Sequence, residues 1–229
     1  MVAGGRIGVL GGIGPEATGE FYNKLISRLQ EKGLIKSNKD FPQVIINSIP
    51  APELIYDEIS DEELEDYIIG LKELDRFKVD FILMVCNTIH LYYDRLQKKI
   101  NTPLLNLKKE LRDKLLRENM KSVLVIGTPS TIKQGLYRFE GIKTFEPDKN
   151  EMKILTKAIF NFNKGMNKEL QVHKTKKICE KYLEKGAETV ILGCTEFAVL
   201  LDNEKIPKIN TIDVLVESAI KYLSASAHP

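Results

Sequence analysis

Short, unbroken apolar runs alternate with amphipathic stretches along nearly the whole chain. Runs such as Ile7-Gly8-Val9-Leu10, Phe81-Ile82-Leu83-Met84-Val85, Val123-Leu124-Val125-Ile126 and Val190-Ile191-Leu192 lack the alternation of a strand with one wet face. They suit strands covered by helices on both sides, in parallel sheets built from βαβ units. The pattern predicts strands near 6–11, 43–48, 79–86, 122–127, 188–193 and 209–212. It predicts helices near 15–32, 61–77, 106–119, 149–164, 167–186 and 213–224, with shorter turns after Cys86 and Cys194. Ser60 followed by Glu63 reads as a capping box, and Gly186 suits a left-handed helix stop.

The pattern is also duplicated. Ile7-Gly8-Val9-Leu10-Gly11-Gly12 has a counterpart in Val123-Leu124-Val125-Ile126-Gly127-Thr128. Phe81-Ile82-Leu83-Met84-Val85-Cys86-Asn87-Thr88 has one in Thr189-Val190-Ile191-Leu192-Gly193-Cys194-Thr195-Glu196. The expectation is an α/β fold of two pseudo-symmetric lobes, each a parallel sheet flanked by helices, with a site in the cleft between them. The join is placed near Asn101-Thr102-Pro103. Residues 1–103 and 208–229 then form the N-terminal lobe and 104–207 the C-terminal lobe, the last strand and helix returning to the first lobe. Ser224–Pro229 reads as a loose tail.

Thirty-four basic and 32 acidic residues leave a formal net charge of +2. Nothing in that balance draws the chain to nucleic acid or to a membrane surface. The longest apolar runs are of strand length, too short for a bilayer, and no secretory signal is visible. Three cysteines without paired spacing argue against a disulfide framework and fit a reducing cytoplasm.

Cys86 and Cys194 end parallel strands, where ligands of α/β sheets bind. Two thiols placed this way can flank one carbon, one removing a proton and the other returning one to the opposite face. Backbone N–H groups beyond each cysteine are expected to lower the thiol pKa and to hold a carboxylate. Asn87, Thr88 and Thr195 add side-chain donors. Glu196 either hydrogen-bonds near a thiol, orients an ammonium group or caps its own helix. His90, four residues past Cys86, reads as a structural histidine before a catalytic partner, and Cys179 as core. No histidine or cysteine spacing fits zinc.

Gly12-Ile13-Gly14-Pro15-Glu16-Ala17 follows a strand, opens a helix and formally fits a dinucleotide fingerprint. The acidic residue that should close the second strand is missing; Asn47 and Ser48 stand there. The favoured reading is approach of a small anion to backbone N–H groups at Gly12, with Ser48 a further substrate-binding candidate.

Gly11-Gly12-Ile13-Gly14-Pro15-Glu16-Ala17-Thr18, Cys86-Asn87-Thr88, Gly127-Thr128 and Gly193-Cys194-Thr195-Glu196, in this order, resemble the aspartate/glutamate racemase family. The branch most similar is the cofactor-independent aspartate racemases. The resemblance implies Cys86 and Cys194 as proton donor and acceptor, without pyridoxal phosphate or metal. It implies Asn87, Thr88 and Thr195 around the α-carboxylate, Thr128 as a further binding residue, Lys164 at a side-chain carboxylate, aspartate as substrate and a homodimer. One departure stands out. Aspartate racemases often carry an arginine just after the second strand; here Ser48-Ile49-Pro50-Ala51-Pro52-Glu53-Leu54-Ile55-Tyr56-Asp57 has none. Other expectations on the same frame are a glutamate, broad-specificity or hydantoin racemase, or a dicarboxylate isomerase. A dinucleotide-binding oxidoreductase and a non-catalytic thiol sensor are more distant.

Overall fold

A computed structural model describes residues 5–50, 52, 54–55 and 59–226. Ala51, Glu53, Tyr56 and Asp57, and the tail residues Ala227, His228 and Pro229, lie outside the described residues.

The first sheet holds β1 (Arg6–Gly11), β2 (Gln43–Ser48) and β3 (Phe81–Met84) in the order β2-β1-β3, all parallel. Leu104 adds a parallel bridge to Ile82 on the far side of β3. The second sheet holds β4 (Ser122–Gly127), β5 (Lys143–Phe145), β6 (Thr189–Gly193) and β7 (Lys208–Asn210) in the order β5-β4-β6-β7, again parallel. The orders correspond position by position, Leu104 standing where β7 stands in the other sheet. This is the duplication seen in the sequence. Every residue of β3, β4 and β6 is buried, as continuous apolar strands require. Edge strand β2 is half exposed.

The longer helices are α1 (Pro15–Glu31), α2 (Asp61–Arg76), α4 (Leu107–Arg117), α6 (Lys149–Asn163), α7 (Lys168–Glu184) and α9 (Thr211–Ser226). Short ones follow the cysteines: a 3-10 turn at Thr88–Tyr92 leading into α3 (Tyr93–Gln97), and α8 (Thr195–Leu200). Ser60 accepts from the Glu63 N–H and Glu63 from the Ser60 N–H, the expected capping box. Gly186 sits at φ 98°, as its left-handed stop needs. No helix among the described residues is long and apolar enough to cross a membrane.

The structure corrects several expectations. β7 does not return to the first lobe; it pairs with β6. Helix α9 does pack on first-lobe elements, with Tyr222 against Phe81 at 5.4 Å between ring centroids. Ser224, Ala225 and Ser226 continue α9 instead of forming a loose tail. β3 stops at Met84, so Val85 and Cys86 stand beyond the strand. The pattern missed β5 and the short helix α5 (Pro129–Lys133), each too brief to show a period.

Candidate active site

The strand ends of both sheets face one cavity of about 220 Å³. The first lobe contributes Gly12, Ile13, Gly14, Pro15, Pro52, Leu54, Ile55, Cys86, Asn87 and Thr88; the second contributes Thr128, Ile159, Asn163, Cys194, Thr195 and Glu196. Of the candidates read from the sequence, Gly12, Cys86, Asn87, Thr88, Thr128, Cys194 and Thr195 line this space. Ser48 is not on its wall: it ends the exposed edge strand. Lys164 is not either: it caps the C-terminus of α6 as an exposed residue, one position past Asn163.

Each cysteine sits just past its strand. Cys86 precedes the N-cap of the 3-10 turn, and Cys194 is itself the N-cap of α8. Both are free thiols and nearly fully buried. The Thr88 and Ile89 N–H groups do pull the Cys86 pKa down, as expected, but burial outweighs them and pushes it up to about 12. Cys194 is likewise raised, by burial first and then by Glu196. The expected lowering is therefore overturned. Desolvation of a thiolate between two packed lobes exceeds the help of a few aligned N–H groups. Each thiol lies within the field of the same Glu196 carboxylate.

Glu196 does hydrogen-bond at the thiol, the first of its three readings. Its carboxylate accepts the Cys194 S–H at 2.7 Å and the Thr195 hydroxyl at 3.2 Å. His90 is buried, stacks near Tyr93 with rings 6.4 Å apart, and is not on the cavity wall. Burial pushes its pKa down to about 4, so it is neutral at pH 7.

The polar residues after Cys86 tie the lobes together. The Asn87 side chain donates to the Thr211 hydroxyl at 3.1 Å and accepts from the Tyr137 hydroxyl at 2.5 Å. The Thr88 hydroxyl shares a ring of hydrogen bonds with Thr128 and Thr131, at 3.1 and 3.0 Å, closed by Thr128 to Thr131 at 3.1 Å. Tyr137, Thr131 and Thr211 escaped the sequence reading. Their partners Asn87 and Thr88 across the seam lie 43 to 124 residues away, so no local spacing announces those bonds.

The glycines at the start of α1 are explained by close approach. Gly12 sits at φ 87°, and a Cβ there would strike the backbone of Ile49. Gly14, at φ 97°, would place a Cβ 3.0 Å from the Thr195 hydroxyl. Both conditions favour glycine without invoking a nucleotide.

A family model described as Asp/Glu/Hydantoin racemase matches residues 10–219. The broad specificity amino-acid racemase RacX of Bacillus subtilis (strain 168) is 28% identical over 224 residues, covering 95% of this chain and 98% of that protein. Among solved structures, an aspartate racemase homologue from Pyrococcus horikoshii OT3 superposes with a TM-score of 0.73 at 26% identity, covering 96% of this chain and 99% of that one. The aspartate racemase of Picrophilus torridus gives 0.74 at 26% identity, with 96% and 95% covered.

Proposed function

This chain belongs to the Asp/Glu/Hydantoin racemase family, and from that premise we propose a two-thiol amino-acid racemase, an isomerase acting on a free amino acid. One observation carries the reading: two buried thiols, one from each pseudo-symmetric lobe, stand on the wall of a single cavity.

The substrate's α-carboxylate rests among Asn87, Thr88, Thr128 and Thr195. An amide NH2 has two donors, and Asn87 gives one to Thr211, leaving one for the carboxylate. Glu196 takes the Cys194 proton along the existing 2.7 Å hydrogen bond. The Cys194 thiolate then removes the α-proton from one face of the substrate. The Cys86 thiol delivers its proton to the other face and becomes a thiolate. For the opposite enantiomer the roles exchange. Because the two titrations are coupled, the active form belongs to the pair: one thiol and one thiolate. The remaining Asn87 N–H and the backbone N–H groups around the carboxylate stabilise the charge that develops at the α-carbon, the hydroxyl protons being held by the Thr88, Thr128 and Thr131 ring and by Glu196. Both thiols must stay reduced, which supports a reducing, cytoplasmic compartment. The homodimer implied by the resemblance is tested by sedimentation of the purified chain.

The resemblance implies aspartate, with Lys164 at its second carboxylate; with Lys164 exposed and off the cavity wall, the proposal is a free amino acid whose side chain is selected by the wall itself. The mechanism itself is tested in heavy water by chiral chromatography. Cys86→Ser and Cys194→Ser are each expected to abolish racemisation while retaining α-proton exchange from one enantiomer only. Full racemisation by either variant refutes the two-thiol reading.

A further inference from the structure

Resting on the racemase reading above, we infer that the site selects amino acids with an uncharged, largely apolar side chain over the dicarboxylic amino acids. The polar groups of the cavity gather around the two thiols. The rest of the wall is Ile13, Pro15, Pro52, Leu54, Ile55 and Ile159, with Asn163 the one further polar side chain among the described residues. No lysine, arginine or histidine lines it among the described residues.

The loop that carries Pro52, Leu54 and Ile55 cannot supply a cation from its undescribed positions, which are Ala51, Glu53, Tyr56, Asp57 and Glu58. The first lobe has no arginine between Arg28 and Arg76 and no lysine between Lys39 and Lys72. In the second lobe, Lys164 is exposed beyond the wall, and Lys168 is paired with Glu16 at 2.8 Å. Among the described residues, the one charged side chain on the wall is Glu196, which is acidic. A second substrate carboxylate would leave water with no counter-charge and with a like charge in the same cavity. An apolar side chain instead covers isoleucine and leucine surface.

Two hydrogen bonds tie down described parts of the loop that carries Pro52, Leu54 and Ile55. The Ile55 carbonyl accepts from the Ser130 N–H of the other lobe at 3.0 Å, and the Pro52 carbonyl accepts from the Tyr67 hydroxyl at 2.5 Å. A cavity of about 220 Å³ is smaller than those that hold drug-sized ligands, roughly 300–1,000 Å³, which keeps the side chain small to medium.

The test uses the purified full chain without added cofactor. Alanine, valine, leucine, methionine, aspartate, glutamate and lysine are compared by chiral chromatography and by α-proton exchange in heavy water. The best kcat/KM is expected for an apolar side chain, with aspartate and glutamate lower by at least about tenfold. A best value for aspartate, glutamate or lysine, or a smaller margin, overturns the inference and leaves racemisation standing. Exchange of no amino acid overturns the racemase reading and the inference with it. Ile13→Arg, at a partly exposed position, places a cation on the wall. It is expected to raise the aspartate-to-leucine ratio of kcat/KM by at least about tenfold. That ratio is independent of how much protein folds, and an unchanged ratio also overturns the inference.

Discussion

Tyr137→Phe isolates the seam between the lobes. The phenol is almost fully buried, and its hydroxyl donates to Asn87 Oδ1 at 2.5 Å. The variant keeps the ring, so the packing of Tyr137 over Gly193 is retained and no large cavity opens. What it removes is the partner of a buried amide oxygen on a residue that is 1% exposed. Leaving such an acceptor unsatisfied costs about 1–3 kcal/mol. A mid-range loss of about 2 kcal/mol corresponds to a fall in Tm of roughly 4–8 °C for a chain of this size. Asn87 follows Cys86 directly, so a carboxamide freed to rotate should also lower kcat/KM. The assay is urea unfolding of wild type, Tyr137→Phe, Asn87→Ala and the double variant, with turnover measured alongside. The two single losses should not add, because each breaks the same bond. Additivity within about 0.3–0.5 kcal/mol, or a Tyr137→Phe loss below about 0.5 kcal/mol, refutes the seam as an energetic tie.

With Cys86 raised to about 12 and Cys194 raised as well, little thiolate exists in the ligand-free protein near neutrality. Because the Cys194 proton passes to Glu196 within the site, forming the thiolate changes no net proton count, so log kcat/KM should stay nearly flat between about pH 7 and 9 despite the raised thiols; a climb of about one log unit per pH unit over that window contradicts Glu196 as the acceptor. His90 sets an acid limb for stability. Its folded pKa of about 4 lies below the unfolded value near 6.5, so its contribution is present above pH 6.5 and lost as pH falls toward 4. Wild type should lose about 2–3 kcal/mol more than His90→Gln between pH 7 and pH 4.5 in urea titrations; equal losses remove His90 from the account.

The local features were legible because local forces make them. Continuous apolar runs gave β1, β3, β4 and β6, and Ser60 with Glu63 marked the start of α2. The repeat of strand, glycine and cysteine is enough to give two lobes with a thiol at a strand end in each. Lys143-Thr144-Phe145 carries no period over three residues, so β5 stayed hidden. The strand at Lys208–Asn210 was seen, but its sheet was not, because sheet membership depends on which neighbour a strand meets.

Sequence by itself determined the chemistry on offer: two equivalent thiols at two equivalent strand ends, and a covering loop without an arginine. Only the tertiary structure decided how those groups behave. It raised both thiols, because burial between lobes is a property of neither segment alone. It drew the Asn87 and Thr88 side chains into bonds with Tyr137, Thr211, Thr128 and Thr131, and it left Ser48 and Lys164 off the wall. It also brought Ile13, Leu54, Ile55 and Ile159 from distant stretches onto the wall of the cavity that holds the thiols. Side-chain environment is set by what the chain brings together in space, and one-dimensional spacing records only part of that.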